Sequence, residues 1–346
     1  MGKNKILKIL LLFAIILFGL GKIYLSRNNS INAKENFSKE FIAQNKKNGK
    51  KNAVKQKNIE NKNIKDMEHN SAESIHILAE AMKLGFSDRN IFLADPDYVK
   101  INDDKLISKE YAKERYNLID SNAKEYASGN FSNIKEHHGN TSHFSIIDKY
   151  GNVVSQTQTI RDWFGSGIIV DEYGFVLNNG MSDFSALSGV ITSQGLSYGD
   201  LNAIEGGKIP LSSMSPTIVF KNKKPFMSIG AAGGPRIITG ILQGIINAID
   251  YGMLPEQLVN APFINCLTKN QGLEVEYGIS KDTLNILEKK GHIIKEIPVY
   301  QAMSTMLNSV MNIDGVLYAA STKRVDGCGG ILFENGHIAL EGIIQK

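Results

Sequence analysis

Thr141 follows the flexible pair Gly139-Asn140, and Thr157 and Thr159 lie a short distance downstream, beyond a Gly151-Asn152 turn. From Thr141 to Asp148 polar and apolar residues alternate, which predicts a strand opening at Thr141, and the segment carrying Thr157 and Thr159 predicts a second strand paired with it. Such a hairpin brings three hydroxyls to one place. A threonine hydroxyl is a weak nucleophile and needs a base. Breaking the peptide bond before Thr141 would free an α-amine with an unperturbed pKa of about 7.7 to 8.0, so one residue would supply both nucleophile and base. Thr159, two residues from Thr157 on the same face, would orient the Thr141 hydroxyl. Threonines are also ordinary strand residues, and this stretch alone leaves that reading open.

More of the chain carries the argument further. Residues 141 to 185, with Thr157-Gln158-Thr159, Phe164-Gly165-Ser166-Gly167, Leu177-Asn178-Asn179, Met181 and Asp183-Phe184-Ser185, resemble the start of the small subunit of γ-glutamyltranspeptidase, also called glutathione hydrolase. Pro210-Leu211-Ser212-Ser213-Met214-Ser215-Pro216-Thr217 is similar to the family's substrate serine pair, and Gly230 to Ile238 to its oxyanion glycines. Upstream, Ala79-Glu80-Ala81 through Asp88-Arg89 and Leu93 to Lys100 resemble the end of the large subunit, so the resemblance spans about residues 68 to 330. It implies Thr141 as nucleophile and Thr159 as the threonine that holds its hydroxyl. It implies Ser212 and Ser213 on the glutamyl α-carboxylate, Asp183 on the α-ammonium, and the amides of Gly233 and Gly234 on the oxyanion. Paired glycines let the backbone approach a ligand closely, and a donor aimed at a developing oxyanion is worth roughly 3 to 4 kcal/mol.

The chain also departs from the family pattern. Arg161 stands where the family usually has Asn, and Gly180 where it usually has Gln, both being partners of the α-ammonium. A cation there would repel an ammonium, which shifts preference away from a free glutamyl amine; Arg161 pointing to solvent is the other reading. Only 140 residues precede Thr141, and neither Arg89 nor Arg115 matches the arginine that clamps the α-carboxylate in the family. The expectation is therefore a complete small subunit plus the last part of a large one. The activity implied is γ-glutamyl amide hydrolysis or transfer, on glutathione or on poly-γ-glutamate, with water or an amino-acid or peptide acceptor. The alternatives are an impaired, membrane-tethered remnant and one half of a split enzyme whose large-subunit segment is separately encoded.

Charge divides the chain. Of 39 Lys and Arg and 35 acidic residues, residues 1–67 hold 15 and 4, leaving 24 and 31 for the rest, so the body is acidic and nucleic-acid binding is not expected. Lys3, Lys5 and Lys8 precede an apolar run from Ile9 to Leu20, which reads as a secretory signal or membrane anchor over residues 1–26 and favours an extracytoplasmic body. Residues 27–67 are rich in Lys and Asn and poor in apolar residues, the composition of a disordered tether. Residues 68–140 would be the large-subunit remnant and 141–346 the catalytic portion. No metal-ligand spacing connects the seven histidines, His137-His138 falls in the expected processing loop, and neither metal nor cofactor is expected. Cys266 and Cys328 are the only cysteines, with free thiols favoured over a disulfide.

These residues need a scaffold. Periodicity predicts helices over Ser71–Phe86, Ser108–Ile119, Pro235–Tyr251 and Lys281–Lys290. Strands are expected from Thr141 to Leu177, and again over Met303–Val310, Val316–Ser321 and Ile331–Leu340, with turns at Asp314-Gly315 and Asn335-Gly336. Helices before and after paired strands fit an α+β chain with the four-layer αββα N-terminal-nucleophile hydrolase fold, incomplete because most of the large subunit is missing.

Overall fold

A computed structural model describes residues 64–126, 139–185, 199–299, 305–332 and 338–340. The apolar run at Ile9–Leu20, most of the Lys/Asn-rich segment, His137-His138 and the Asn335-Gly336 turn lie outside the described residues.

Helix α1 (Ala72–Phe92) begins where Ser71 accepts a hydrogen bond from the Ser74 amide, and it runs six residues past the expected stop at Phe86. The added turn carries the polar stretch Ser87-Asp88-Arg89-Asn90, and all four residues are buried. Asp88 pairs with Arg115 at 2.7 Å, and Arg115 comes from the short α3 (Lys109–Tyr116) that follows α2 (Asp103–Leu106). Ile64 and Met67 are buried in the same core, so the packed body starts inside the segment read as tether.

Strands β1 (Gly139–Ile147) and β2 (Val153–Asp162) form an antiparallel pair that places Thr141 opposite Thr159 and His143 opposite Thr157. After β3 (Ile169–Val170) and β4 (Phe175–Val176) come β5 (Thr217–Lys221) and β6 (Lys224–Ala232), which join the later β10 (Met306–Ile313) and β11 (Val316–Ser321) in a sheet ordered β11-β10-β6-β5. The β10–β11 turn has φ of 51° at Asp314 and 91° at Gly315, the left-handed pair that an Asp-Gly hairpin requires.

The two-stranded pair packs face to face on this larger sheet. Asn308 on β10 donates to the His143 carbonyl at 2.8 Å, and the Ser228 hydroxyl on β6 lies 2.9 Å from Ser145 Oγ and 3.0 Å from the Val154 carbonyl. The His143 ring lies against Gly230, where an added Cβ would fall 2.2 Å from the ring. On the other face of the large sheet α4 (Arg236–Ile249) buries Ile237, Ile238, Ile241, Leu242, Ile245 and Ile246. Then follow α5 (Pro255–Asn260), β7 (Ile264–Asn265), β8 (Leu273–Glu276), α6 (Lys281–Lys289) and β9 (Ile294–Ile297), which close a single apolar core with α1. The expected cover on both outer faces is met on one. On the outer face of β1 and β2, Phe144, Ile146 and Val154 are 41%, 52% and 43% exposed among the described residues.

His143 makes the sheet interface sensitive to pH. Its ring nitrogens lie 2.8 Å from Thr157 Oγ1 and 2.9 Å from Ser145 Oγ, and burial pulls its pKa down to about 4. The folded chain therefore holds this imidazole neutral while the unfolded chain protonates it near 6.5. The stability at stake is intact above about 6.5 and is lost as pH falls toward 4, to the extent of about 3 kcal/mol. Urea unfolding of the chain and of His143→Gln should show the wild-type advantage shrinking between pH 7.5 and pH 4.5. An advantage that stays constant over that range contradicts this account.

Candidate active site

Thr141 Oγ1 donates to Thr159 Oγ1 at 3.0 Å. Both residues lie toward the open end of the hairpin, next to a register shift between Gly139 and Thr141. Thr159 Oγ1 also accepts the Arg161 amide at 2.8 Å. That bond is possible because Arg161 takes a left-handed φ of 74°, which breaks the strand's alternation and turns the side chain inward. A non-glycine residue in this region costs of order 1 kcal/mol or more and persists where its surroundings hold it.

The surroundings of Arg161 do hold it. It is 3% exposed. Its Nε donates to Asp183 Oδ1 at 2.8 Å, Nη1 to Asp162 Oδ2 at 2.8 Å, and Nη2 to the Ser182 carbonyl at 3.3 Å. Asp162 is steadied in turn by Asn179, whose Nδ2 donates to it at 2.8 Å. Asp183 ends a short 3-10 turn, Gly180–Asp183, and burial pushes its carboxyl above the usual carboxylate range, with Arg161 and Arg89 pulling the other way. The reading of Arg161 as solvent-facing is thus not what the structure shows.

The serine pair is tied to the same place by two further residues. Arg89, fully buried on α1, donates from Nη2 to Ser213 Oγ at 3.2 Å, and its charge also reaches Asp183. Asn202, likewise fully buried, donates to the Asp183 carbonyl at 2.7 Å and accepts from the Leu211 amide at 3.1 Å. Ser212 is exposed, and its hydroxyl accepts from the Met214 amide at 3.1 Å. Arg89 does not match the family's clamp position, and its partner Ser213 lies 124 positions away in sequence.

Gly233 and Gly234 leave the end of β6 with φ of 129° and 60° and lead into α4. Their position follows from how the sheets stack. Ser228 touches Ser145 and Gly230 touches His143, so the strands run in opposite senses and the next step sets Ala232 near Thr141. The paired glycines thus emerge at the Thr141 end of the interface, followed by the N-terminus of α4, where backbone N–H groups and the helix dipole favour negative charge. Thr141, Thr159, Arg161 and Asp183 form one hydrogen-bonded chain; Arg89 bonds Ser213 and places its charge near Asp183, and Asn202 joins the Asp183 carbonyl to the Leu211 amide beside the serine pair.

A second polar cluster lies apart from this network. His76 and Glu80 on α1 meet His292, with ligand-capable atoms all within 4.8 Å, an association that a separation of 216 positions concealed. Each member has protein partners. His76 Nδ1 lies 2.8 Å from His292 Nε2, its Nε2 lies 2.7 Å from the Asp120 carbonyl, and Glu80 takes Lys83 at 2.6 Å and the Tyr126 hydroxyl at 2.7 Å. Cys266 is a buried free thiol and Cys328 an exposed one. Among the described residues, no helix is long and apolar enough to cross a membrane.

Residues 52–331 match the family model described as gamma-glutamyltranspeptidase. The chain is 42% identical over 268 residues to the glutathione hydrolase proenzyme of Escherichia coli K12, covering 77% of this chain and 46% of that protein. It is 36% identical over 253 residues to the proenzyme of the same name from Bacillus subtilis strain 168, covering 68% and 41%. The chain thus spans about half the length of the curated relatives it matches. Among solved structures, a mutant gamma-glutamyltranspeptidase from Helicobacter pylori aligns at TM-score 0.50 with 41% identity, over 53% of this chain and 99% of that one. A cephalosporin acylase from Bacillus halodurans aligns at TM-score 0.64 with 25% identity, over 80% and 47%.

Proposed function

The chain belongs to the γ-glutamyltranspeptidase family, and on that premise we propose that it cleaves itself between Asn140 and Thr141 and then hydrolyses or transfers γ-glutamyl groups. The observation that carries this reading is the 3.0 Å contact between the Thr141 and Thr159 hydroxyls, set by strand register.

In the first stage Thr141 Oγ1 attacks the Asn140 carbonyl carbon, the C–N bond breaks, and the acyl group moves from nitrogen to oxygen. Water opens the resulting ester and leaves Thr141 with a free α-amine. In the second stage that amine, with an unperturbed pKa of about 7.7 to 8.0, takes the hydroxyl proton as Oγ1 attacks the γ-carbonyl of the substrate. The amides of Gly233 and Gly234 receive the oxyanion. The protonated amine returns its proton to the leaving nitrogen, and an acyl-enzyme ester remains for water or an amino-acid or peptide amine to open. Ser212 and Ser213 take the substrate's α-carboxylate. Arg89, held on Ser213, is a positioning residue that also supplies positive potential behind that subsite.

Thr159→Val removes the hydroxyl that aligns Thr141 while leaving the strand register intact. Losing one hydrogen bond of about 0.5 to 1.5 kcal/mol should slow self-cleavage by roughly 2- to 13-fold, read as fragment yield against time on a gel. Processing at the wild-type rate contradicts the alignment role. The basic-then-apolar pattern from Lys3 to Leu20 supports a setting outside the cytoplasm. Cell fractionation should recover the chain in the membrane or exported fraction, and recovery in the cytosol contradicts it.

A further inference from the structure

In the family pattern the Asp183 carboxylate holds the substrate's α-ammonium, yet in this chain it already holds a cation. Arg161 Nε lies 2.8 Å from Asp183 Oδ1. We infer that Arg161 stands in for the substrate's α-ammonium, so that the site takes γ-glutamyl groups whose α-nitrogen is acylated and uncharged, as in an internal residue of a γ-linked glutamyl chain. The inference rests on the reading of Asp183 and Ser213 as substrate-facing groups.

Four observations carry it. Burial is the first: the Arg161 side chain is 2% exposed, so a competing ammonium would have to displace a guanidinium that has already left water. Second, the guanidinium is fixed by three partners, Asp183, Asp162 and the Ser182 carbonyl, while its backbone amide holds Thr159 Oγ1. Moving Arg161 to make room would disturb the residue that orients Thr141. The third is charge. Asp183 and Asp162 already balance Arg161 and Arg89, and an ammonium would add a further cation beside two guanidiniums.

The fourth observation concerns space. Gly180 offers no side chain to accept from an ammonium, and a Cβ there would come within 3.0 Å of Asn178 Oδ1. The rim beside it is open, with Met181 60% exposed, so an acyl extension on the α-nitrogen has a way out to solvent.

The test uses the full chain with two product ligands that need no turnover, L-glutamate and N-acetyl-L-glutamate, titrated by calorimetry. Wild type should bind the N-acetyl form about tenfold or more tightly, the scale at which a like-charge contact discriminates. Arg161→Asn should reverse that order, and Arg161→Lys, which keeps the cation, should preserve it. Parallel assays of a γ-glutamyl anilide and its N-acetyl derivative read the same preference in turnover. Tighter binding of free glutamate by wild type, or binding of neither ligand, overturns the inference. Preference for the N-acetyl ligand without hydrolysis of either anilide upholds it and instead sinks the hydrolase reading.

Discussion

Thr141→Ala is expected to leave the chain as a single polypeptide and to lower hydrolysis of a γ-glutamyl substrate by about 10⁴- to 10⁶-fold, the scale of removing a catalytic nucleophile. Both effects have one origin. The Thr141 hydroxyl lies beside Thr159 Oγ1, and each stage of the proposed chemistry begins with that oxygen attacking a carbonyl. Alanine keeps the strand and its pairing with β2, so the fold should survive, which near-ultraviolet circular dichroism can check. Thr141→Ser keeps the oxygen and should still process and turn over. An alanine variant that processes at the wild-type rate would mean that another group cuts the chain.

Gly233→Ala should cut kcat by about 10²- to 10³-fold with little change in KM, the effect expected when an oxyanion donor is misplaced. Gly233 has φ of 129°, a conformation that L side chains rarely adopt, so alanine there must rotate the backbone and swing the Gly233 and Gly234 amides away from the proposed oxyanion position. The ground-state carbonyl relies less on those donors than the tetrahedral intermediate does, which is why kcat rather than KM should fall. Steady-state kinetics on a γ-glutamyl anilide, or on its N-acylated form if that is preferred, separates the two parameters. A rise in KM at constant kcat would place the glycine pair in substrate binding and not in transition-state stabilisation.

The central hairpin was legible because its signals are local. The Gly151-Asn152 turn and the alternation on either side predict the hairpin and bring the threonine strands together, while the structure adds the register, with Thr141 opposite Thr159 and Thr157 bonded to His143. The same holds for α6, which starts at Lys281 as expected, for β11 at Val316–Ser321, and for the Asp314-Gly315 turn between β10 and β11. The inward turn of Arg161 was not legible, since alternation alone says nothing about a left-handed residue at a strand end. Arg89 against Ser213 joins positions 124 apart, and His76 against His292 joins positions 216 apart, so no window of sequence contains either pair. The end of α1 was misplaced for a related reason. Polar residues usually mark an exposed turn, but Asp88 and Arg89 are buried by partners on other elements, Arg115 and Ser213.

The most direct test of the central claim is the N-terminal sequence of the fragments formed by the purified chain. Self-cleavage should yield a new terminus reading Thr141-Ser142-His143-Phe144 with a free α-amine, on a fragment of 206 residues if the chain ends at Lys346. An uncut chain, or a new terminus at any other residue, would contradict the assignment of Thr141 as the nucleophile and base of this protein.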